Sequence, residues 1–336
     1  MALALGCGGR APARQPVAPP VAPAAGPGGT APACPMDASF VIGDGWFRCR
    51  ELPFEIELPA GTTIERVDNE VITRFSAKLE RGGLDIVVMP RMKMPRRPLV
   101  ELVETIVRSS GIGATATRRD AAPVAGGSEA VAFALALPGG GLGEIRGYFV
   151  DHWMVAVMAR GSAEDATRPD RPVGAKFLSS FRTRPVMDGW VRLDLVDGAR
   201  IEIPGSAWPM ARESPPDKGP HRDWAFHLPD RNSFLGVADL PRGAVCGRLA
   251  AARDDKLQAE LRPILADRPV EVRRVERARL GDASAFLELV MGKLNEASYV
   301  ICHGKSLIQV SVFGPQDHAT LRVLLDQVAK TFVGAR

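Results

Sequence analysis

Long apolar runs are missing from this chain of 336 residues. None reaches the ~18 residues that a membrane-spanning helix needs, which excludes a helical integral membrane protein. An excess of one charge is missing as well. Forty-three basic against 39 acidic side chains leave a net charge of +4, too small to argue for a nucleic-acid partner. Aromatic residues are scarce at 6%, so few rings are on hand to stack on bases. Chemical motifs are also lacking. There is no H-E-x-x-H, no paired C-x-x-C and no Ser/His/Asp set at a spacing that points to an active site. No enzyme, metal or cofactor is therefore expected. The run Gly139-Gly140-Gly141-Leu142-Gly143 is not a phosphate loop, because no lysine follows it and a strand rather than a helix comes next. What is present, 46% hydrophobic and 24% charged residues, is the profile of a folded soluble protein long enough for about two domains.

The first residues, Met1 to Cys7, read M-A-L-A-L-G-C. They resemble the end of a bacterial lipoprotein signal, in which a short apolar stretch and a small residue, here Gly6, precede a cysteine that receives lipid. The resemblance implies lipidation at Cys7. Ala4 stands where leucine is more usual, and the charged region and most of the apolar region of such a signal are missing. This predicts a start upstream of Met1 or a truncated chain. Residues 8–35 are almost entirely Ala, Pro and Gly, a composition that buries too little surface to fold and stays extended. Residues 1–37 are read as a partial signal and tether.

The remainder repeats itself. Asp44-Gly45-Trp46 recurs as Asp188-Gly189-Trp190, and Ile56-Glu57-Leu58-Pro59 as Ile201-Glu202-Ile203-Pro204. Met89-Pro90-Arg91 matches Leu240-Pro241-Arg242. Ala130-x-Ala132-Phe133 matches Ala283-x-Ala285-Phe286, and Tyr148 to His152 matches Tyr299 to His303. The order is collinear at a spacing of ~150 residues, one domain's length. It places one domain at 38–184 and a second at 185–336. Within each copy, alternation such as Phe54, Ile56 and Leu58 against Glu55 and Glu57 predicts half-buried strands. Leu99, Leu102, Val103, Ile106 and Val107 predict a helix stopped by Gly111. Leu249 to Leu265 and Leu321 to Phe332 predict the helices of the second copy. The expected fold is α+β: two tandem antiparallel β-sheets, each flanked by α-helices.

The F-x-I-x-L-P strand, the mid-chain helix, the long meander and the closing helix ending in Ser179-Ser180-Phe181 resemble the PsbP-like superfamily. That group includes PsbP and envelope lipoproteins of the DcrB type. The resemblance implies a scaffold that binds proteins or lipophilic groups, with no shared catalytic residues to carry over.

Of the histidines, His152 and His303 fall where one strand gives way to the next and read as polar turn residues. Besides Cys7 there are four cysteines, Cys34, Cys49, Cys246 and Cys302. They are candidate disulfide partners in an oxidising compartment or, alternatively, four free thiols. A Cys34–Cys49 bond would pin the tether to the first strand. The segment Met89-Pro90-Arg91-Met92-Lys93-Met94-Pro95-Arg96-Arg97-Pro98 interleaves methionines with basic residues. Thioethers suit copper(I), but Arg91, Lys93, Arg96 and Arg97 would repel a cation. Met89, Met92 and Met94 with these four suit contact with a partner or an anionic surface better, and the bland alternative is a solvated loop. The expectation is a non-catalytic envelope lipoprotein, exported and bound to the membrane through its lipid alone. It would bind an unidentified envelope protein or, as the alternative, cradle apolar helices of a secreted or membrane protein.

Overall fold

Period-two alternation dominates what the chain builds. The computed structural model describes residues 34–35, 37, 39–69, 72–79, 82–91, 97–121, 123–161, 172–186, 189–195, 198–210, 222–241, 244–265, 269–304 and 306–334. The first half runs β1 (Ser39–Val41), β2 (Trp46–Arg48), β3 (Phe54–Glu57), β4 (Thr63–Asp68), β5 (Thr73–Leu79), β6 (Gly82–Pro90), α1 (Leu99–Ser109), β7 (Thr115–Arg119), β8 (Gly127–Ala136), β9 (Leu142–Val150), β10 (Trp153–Gly161), α2 (Pro172–Ser180) and β11 (Arg182–Thr183). The second half runs β12 (Trp190–Asp194), β13 (Arg200–Pro204), β14 (Trp208–Met210), β15 (Arg222–Leu228), β16 (Ser233–Pro241), α3 (Ala244–Ala251), α4 (Leu257–Leu265), β17 (Glu271–Ala278), β18 (Ala283–Met291), β19 (Leu294–His303), β20 (Ser306–Gly314) and α5 (His318–Ala329).

The strands form an eight-stranded sheet ordered β1-β4-β5-β6-β10-β9-β8-β7 and a seven-stranded sheet ordered β14-β15-β16-β20-β19-β18-β17. Two small sheets, β11-β3-β2 and β12-β13, complete the set, and the pairings are antiparallel. The expected α+β class is corrected by this architecture. Among the described residues twenty strands in four sheets stand against five α-helices, so the molecule is mostly antiparallel β. Segments that read as connections pair as short strands, and the small β11-β3-β2 sheet covers part of a face that helices alone were expected to cover. A second correction concerns the long helix expected from Leu249 to Leu265. The chain breaks between α3 and α4, where Arg277 reaches in to bond the Leu249 carbonyl (3.3 Å) and the Asp254 carboxylate (2.9 Å).

The two large sheets share the strand order β5-β6-β10-β9-β8-β7 and β15-β16-β20-β19-β18-β17, and their ladders fix which residues correspond. The β9–β10 hairpin closes on Val150↔Trp153 and the β19–β20 hairpin on His303↔Ser306. The next residue of each turn, Asp151 (φ 48°) and Gly304 (φ 55°), is left-handed. Counting back four residues, Arg146 corresponds to Tyr299. Their partners on the neighbouring strand are Ala132 and Phe286. The sequence match of Tyr148 with Tyr299 is therefore two residues out of register, a slip that alternation does not expose because it preserves the face. The match of Phe133 with Phe286 is one residue out, and those two rings lie on opposite faces.

One face of the first large sheet packs on α1 through Leu99, Leu102, Val103, Ile106 and Val107. The other face packs on β2, β3 and α2 through Phe47, Phe54, Ile56, Phe177 and Phe181. Each of these side chains contributes about 1.5–3 kcal/mol by leaving water. Trp208 of β14 joins this first core, edge-on to Trp153 (5.2 Å) and Phe75 (6.5 Å). Arg66 seals the junction, with its guanidinium over the Phe75 and Trp208 rings at 5.7 and 5.2 Å and a bond to the Pro35 carbonyl at 2.6 Å. Ala31–Arg336 form one compact unit.

Candidate functional site

The outermost strands of the first large sheet leave a concave site that α2 does not fill. Alternation places Ala132 of β8 and Glu144, Arg146 and Tyr148 of β9 side by side on one face. Leu178, Ser179 and Phe181 form one wall, and Arg119, Asp120, Ala121 and Val124 form the rim of a cavity of about 390 Å³. Tyr148 lies flat against Phe181 with ring centroids 4.3 Å apart. Arg146 donates through Nε to Glu144 Oε1 (2.6 Å) and through Nη1 to the Leu178 carbonyl (3.2 Å). Arg119 Nη1 stands 3.9 Å from Glu144 Oε2. Burial pushes the Tyr148 phenol above its usual value, against the pull of Arg146. Burial also works against the charge of Arg146, but Glu144 outweighs it and raises the guanidinium's pKa. The site thus pairs an apolar floor with a fixed ion pair, the usual make-up of a small binding pocket.

In the second half an aromatic ring takes the corresponding place. Phe286, buried, stands where the first half has Ala132, with Tyr299 beside it at 5.3 Å between centroids and the Arg322 guanidinium 4.1 Å above its ring. Tyr299 donates its hydroxyl to Asp326 (2.7 Å), and Arg322 reaches Glu276 at 3.3 Å. Desolvation, then the bond to Asp326, pushes the Tyr299 phenol up to about 12. Reading by sequence did not find the cavity, because its signal is a small residue, Ala132, at a position that only the ladders define.

The residues singled out by sequence are scattered. Cys34 is bonded to Cys49 with Cα atoms 4.6 Å apart, and Cys246 of α3 to Cys302 of β19 with Cα atoms 5.7 Å apart. Cys7 lies outside the described residues. Met89 belongs to the core beneath α1 and so offers nothing to a partner. Arg91 lies over the Phe149 ring at 4.6 Å, and Arg97 is exposed. Met92, Lys93, Met94 and Arg96 lie outside the described residues. His152 sits in a turn. His303 instead ends β19, 4.0 Å from Asp282 and edge-on to Phe332. Among the described residues no group of three or more His, Cys, Asp or Glu side chains is placed to hold a metal ion.

No family model matches the chain, and no curated protein matches it. Among solved structures it is similar to cyanobacterial PsbP (CyanoP) from Synechocystis, at 18% identity and a TM-score of 0.35 over 44% of this chain and 94% of that one. It is also similar to the Pseudomonas aeruginosa MucA/MucB complex, at 13% identity and a TM-score of 0.19 over 82% of this chain and 88% of that one. At these scores the likenesses carry no functional argument.

Proposed function

We propose that the chain is a non-catalytic binding or scaffold module of the bacterial envelope, exported and held to the membrane by lipid on Cys7. In this reading its two halves are tandem PsbP-like copies and its ligand is another envelope protein. The observation that supports it best is the pair of disulfides. Bonded cysteines persist in oxidising compartments and are rare in the cytosol. Cys246 and Cys302 are both fully buried between a helix and the sheet, so their bond is part of the interior. Two experiments test the reading. Fatty-acid labelling in a bacterial host carrying the full signal is expected to mark the wild type and not Cys7→Ser; equal labelling of both would end the anchoring proposal. Crosslinking in intact cells is expected to capture an envelope protein, and its absence at native expression would end the binding proposal.

A second reading, a cradle for apolar helices, is favoured by the second large sheet. Phe234 and Phe313 stack there at 5.0 Å, half-buried, on the same face as Gly236 and Ala238. Under that reading Phe234→Asp abolishes capture, whereas under the first reading it leaves capture intact.

A further inference from the structure

The two halves of the molecule supply an internal comparison. The same place in the same ladder is filled by Phe286 and Arg322 in one half and holds only the small Ala132, 3% exposed in the lining of the cavity, in the other. We infer that the open cavity is an anchor pocket for an aromatic side chain carried on an extended, acidic segment of a partner protein that pairs along the outer edge of β7. This rests on the binding-module reading and names the partner's chemistry.

Three observations carry it. First, the second half shows what this environment accepts, a ring lying on β18 with a guanidinium over its face. The first half keeps a guanidinium, Arg146, on the strand next to Ala132 and lacks the ring. An incoming aromatic regains both the buried area and the cation–π contact. Second, β7 is the last strand of its sheet, and among the described residues no strand pairs with its outer side. An extended segment laid there takes up its free backbone groups and drops alternate side chains onto the cavity's face. Arg119, which ends β7 and pairs with Ala132, is itself part of the cavity rim. Strands lie about 5 Å apart, so a side chain must cross the full width of β7 to reach Ala132. That length calls for an aromatic and leaves Val or Ser short. Third, Arg118 and Arg119 are exposed on opposite faces of this edge. Like charges set edge to edge repel a second copy of the chain, and the same charges draw an acidic segment.

The test uses the full chain and three fluorescein-labelled nine-residue peptides of Thr and Val. One carries two Glu and a central Trp, one has Ala for the Trp, and one has Lys for both Glu. By anisotropy the Trp peptide is expected to bind at least ten-fold more tightly than either of the others. Ala132→Phe, which copies the second half's own filling, should reduce it to the level of the Ala peptide while keeping a wild-type melting profile. If Ala132→Phe does not fold, Ala121→Trp at the cavity mouth carries the same test from a loop. Equal binding of the Trp and Ala peptides, or full binding by the blocked variant, overturns the pocket. If crosslinking in cells still captures a partner through Ala132→Phe, the pocket assignment fails and the binding-module reading stands. Loss of peptide binding and of capture by the wild type alike would remove both.

Discussion

Tyr299 carries more of the second half's stability than its place among apolar strands suggests. Its hydroxyl donates to the Asp326 carboxylate at 2.7 Å, and its pKa rises from an ordinary 10.0 to about 12. A group that holds its proton more tightly when folded stabilises the fold fully below its unfolded pKa. That contribution is lost as pH climbs through the folded value. The wild type is therefore expected to lose stability between about pH 10 and pH 12, beyond any general alkaline effect. Tyr299→Phe should be less stable by about 1.5–3 kcal/mol at neutral pH, the worth of a hydrogen bond to a charged group. The gap should close as the pH passes 10. Urea unfolding at pH 7, 9, 10 and 11 checks this, and a gap constant with pH would show that the phenol does not titrate against folding. The sequence marked Tyr299 only as a repeat match of Tyr148. Its bond to α5 was not readable, because it depends on the turn of α5 that faces the strand.

At the scale of elements, local pattern carried most of the information. The apolar spacing from Leu99 to Val107 marks α1, and the runs from Leu84 to Met89 and from Trp153 to Ala159 mark β6 and β10. Short strands such as β1, β11 and β14 were not legible. Two or three residues carry no period, and they extend only because a partner strand is supplied, for β11 from 127 residues away. Close packing was equally hidden. A side chain on Gly147 would run into Val103 of α1, so the seat of that helix depends on one residue that no periodicity singles out. The disulfides act at this scale as well. Cys246–Cys302 closes a separation of 56 residues and Cys34–Cys49 one of 15, and closing a longer loop removes more entropy from the unfolded chain. Loop-entropy reasoning gives roughly 4 and roughly 3 kcal/mol. Urea unfolding of the Cys246→Ser/Cys302→Ser pair is expected to show the larger loss and that of the Cys34→Ser/Cys49→Ser pair the smaller. The reverse order would place the effect in native packing instead.

For the molecule as a whole, Trp208 is the residue that ties the halves into one cooperative body. It leaves an edge strand of the second large sheet and lies buried in the core of the first, against Phe75 and Trp153. Trp208→Ala is expected to cost about 3–5 kcal/mol. It should also split a single calorimetric transition into two, because it removes the ring that Arg66 and the first core pack against, leaving at this junction the Arg66 bond to the Pro209 carbonyl at 3.4 Å. One transition, merely lowered, would mean that other contacts suffice. The Cys34–Cys49 bond has a mechanical consequence for the same body. Both β1 and β2 lie inside the covalent loop that it closes. A pull arriving along the N-terminal segment therefore passes from Cys34 straight to Cys49 and enters the fold at Arg50, leaving those two strands unloaded. Reduction would place them in the line of force and release up to ~50 Å of slack, at ~3.5 Å for each of the residues between. Against tension the bond works as a strain relief, moving the first point of failure from a three-residue edge strand to the chain leading into β3.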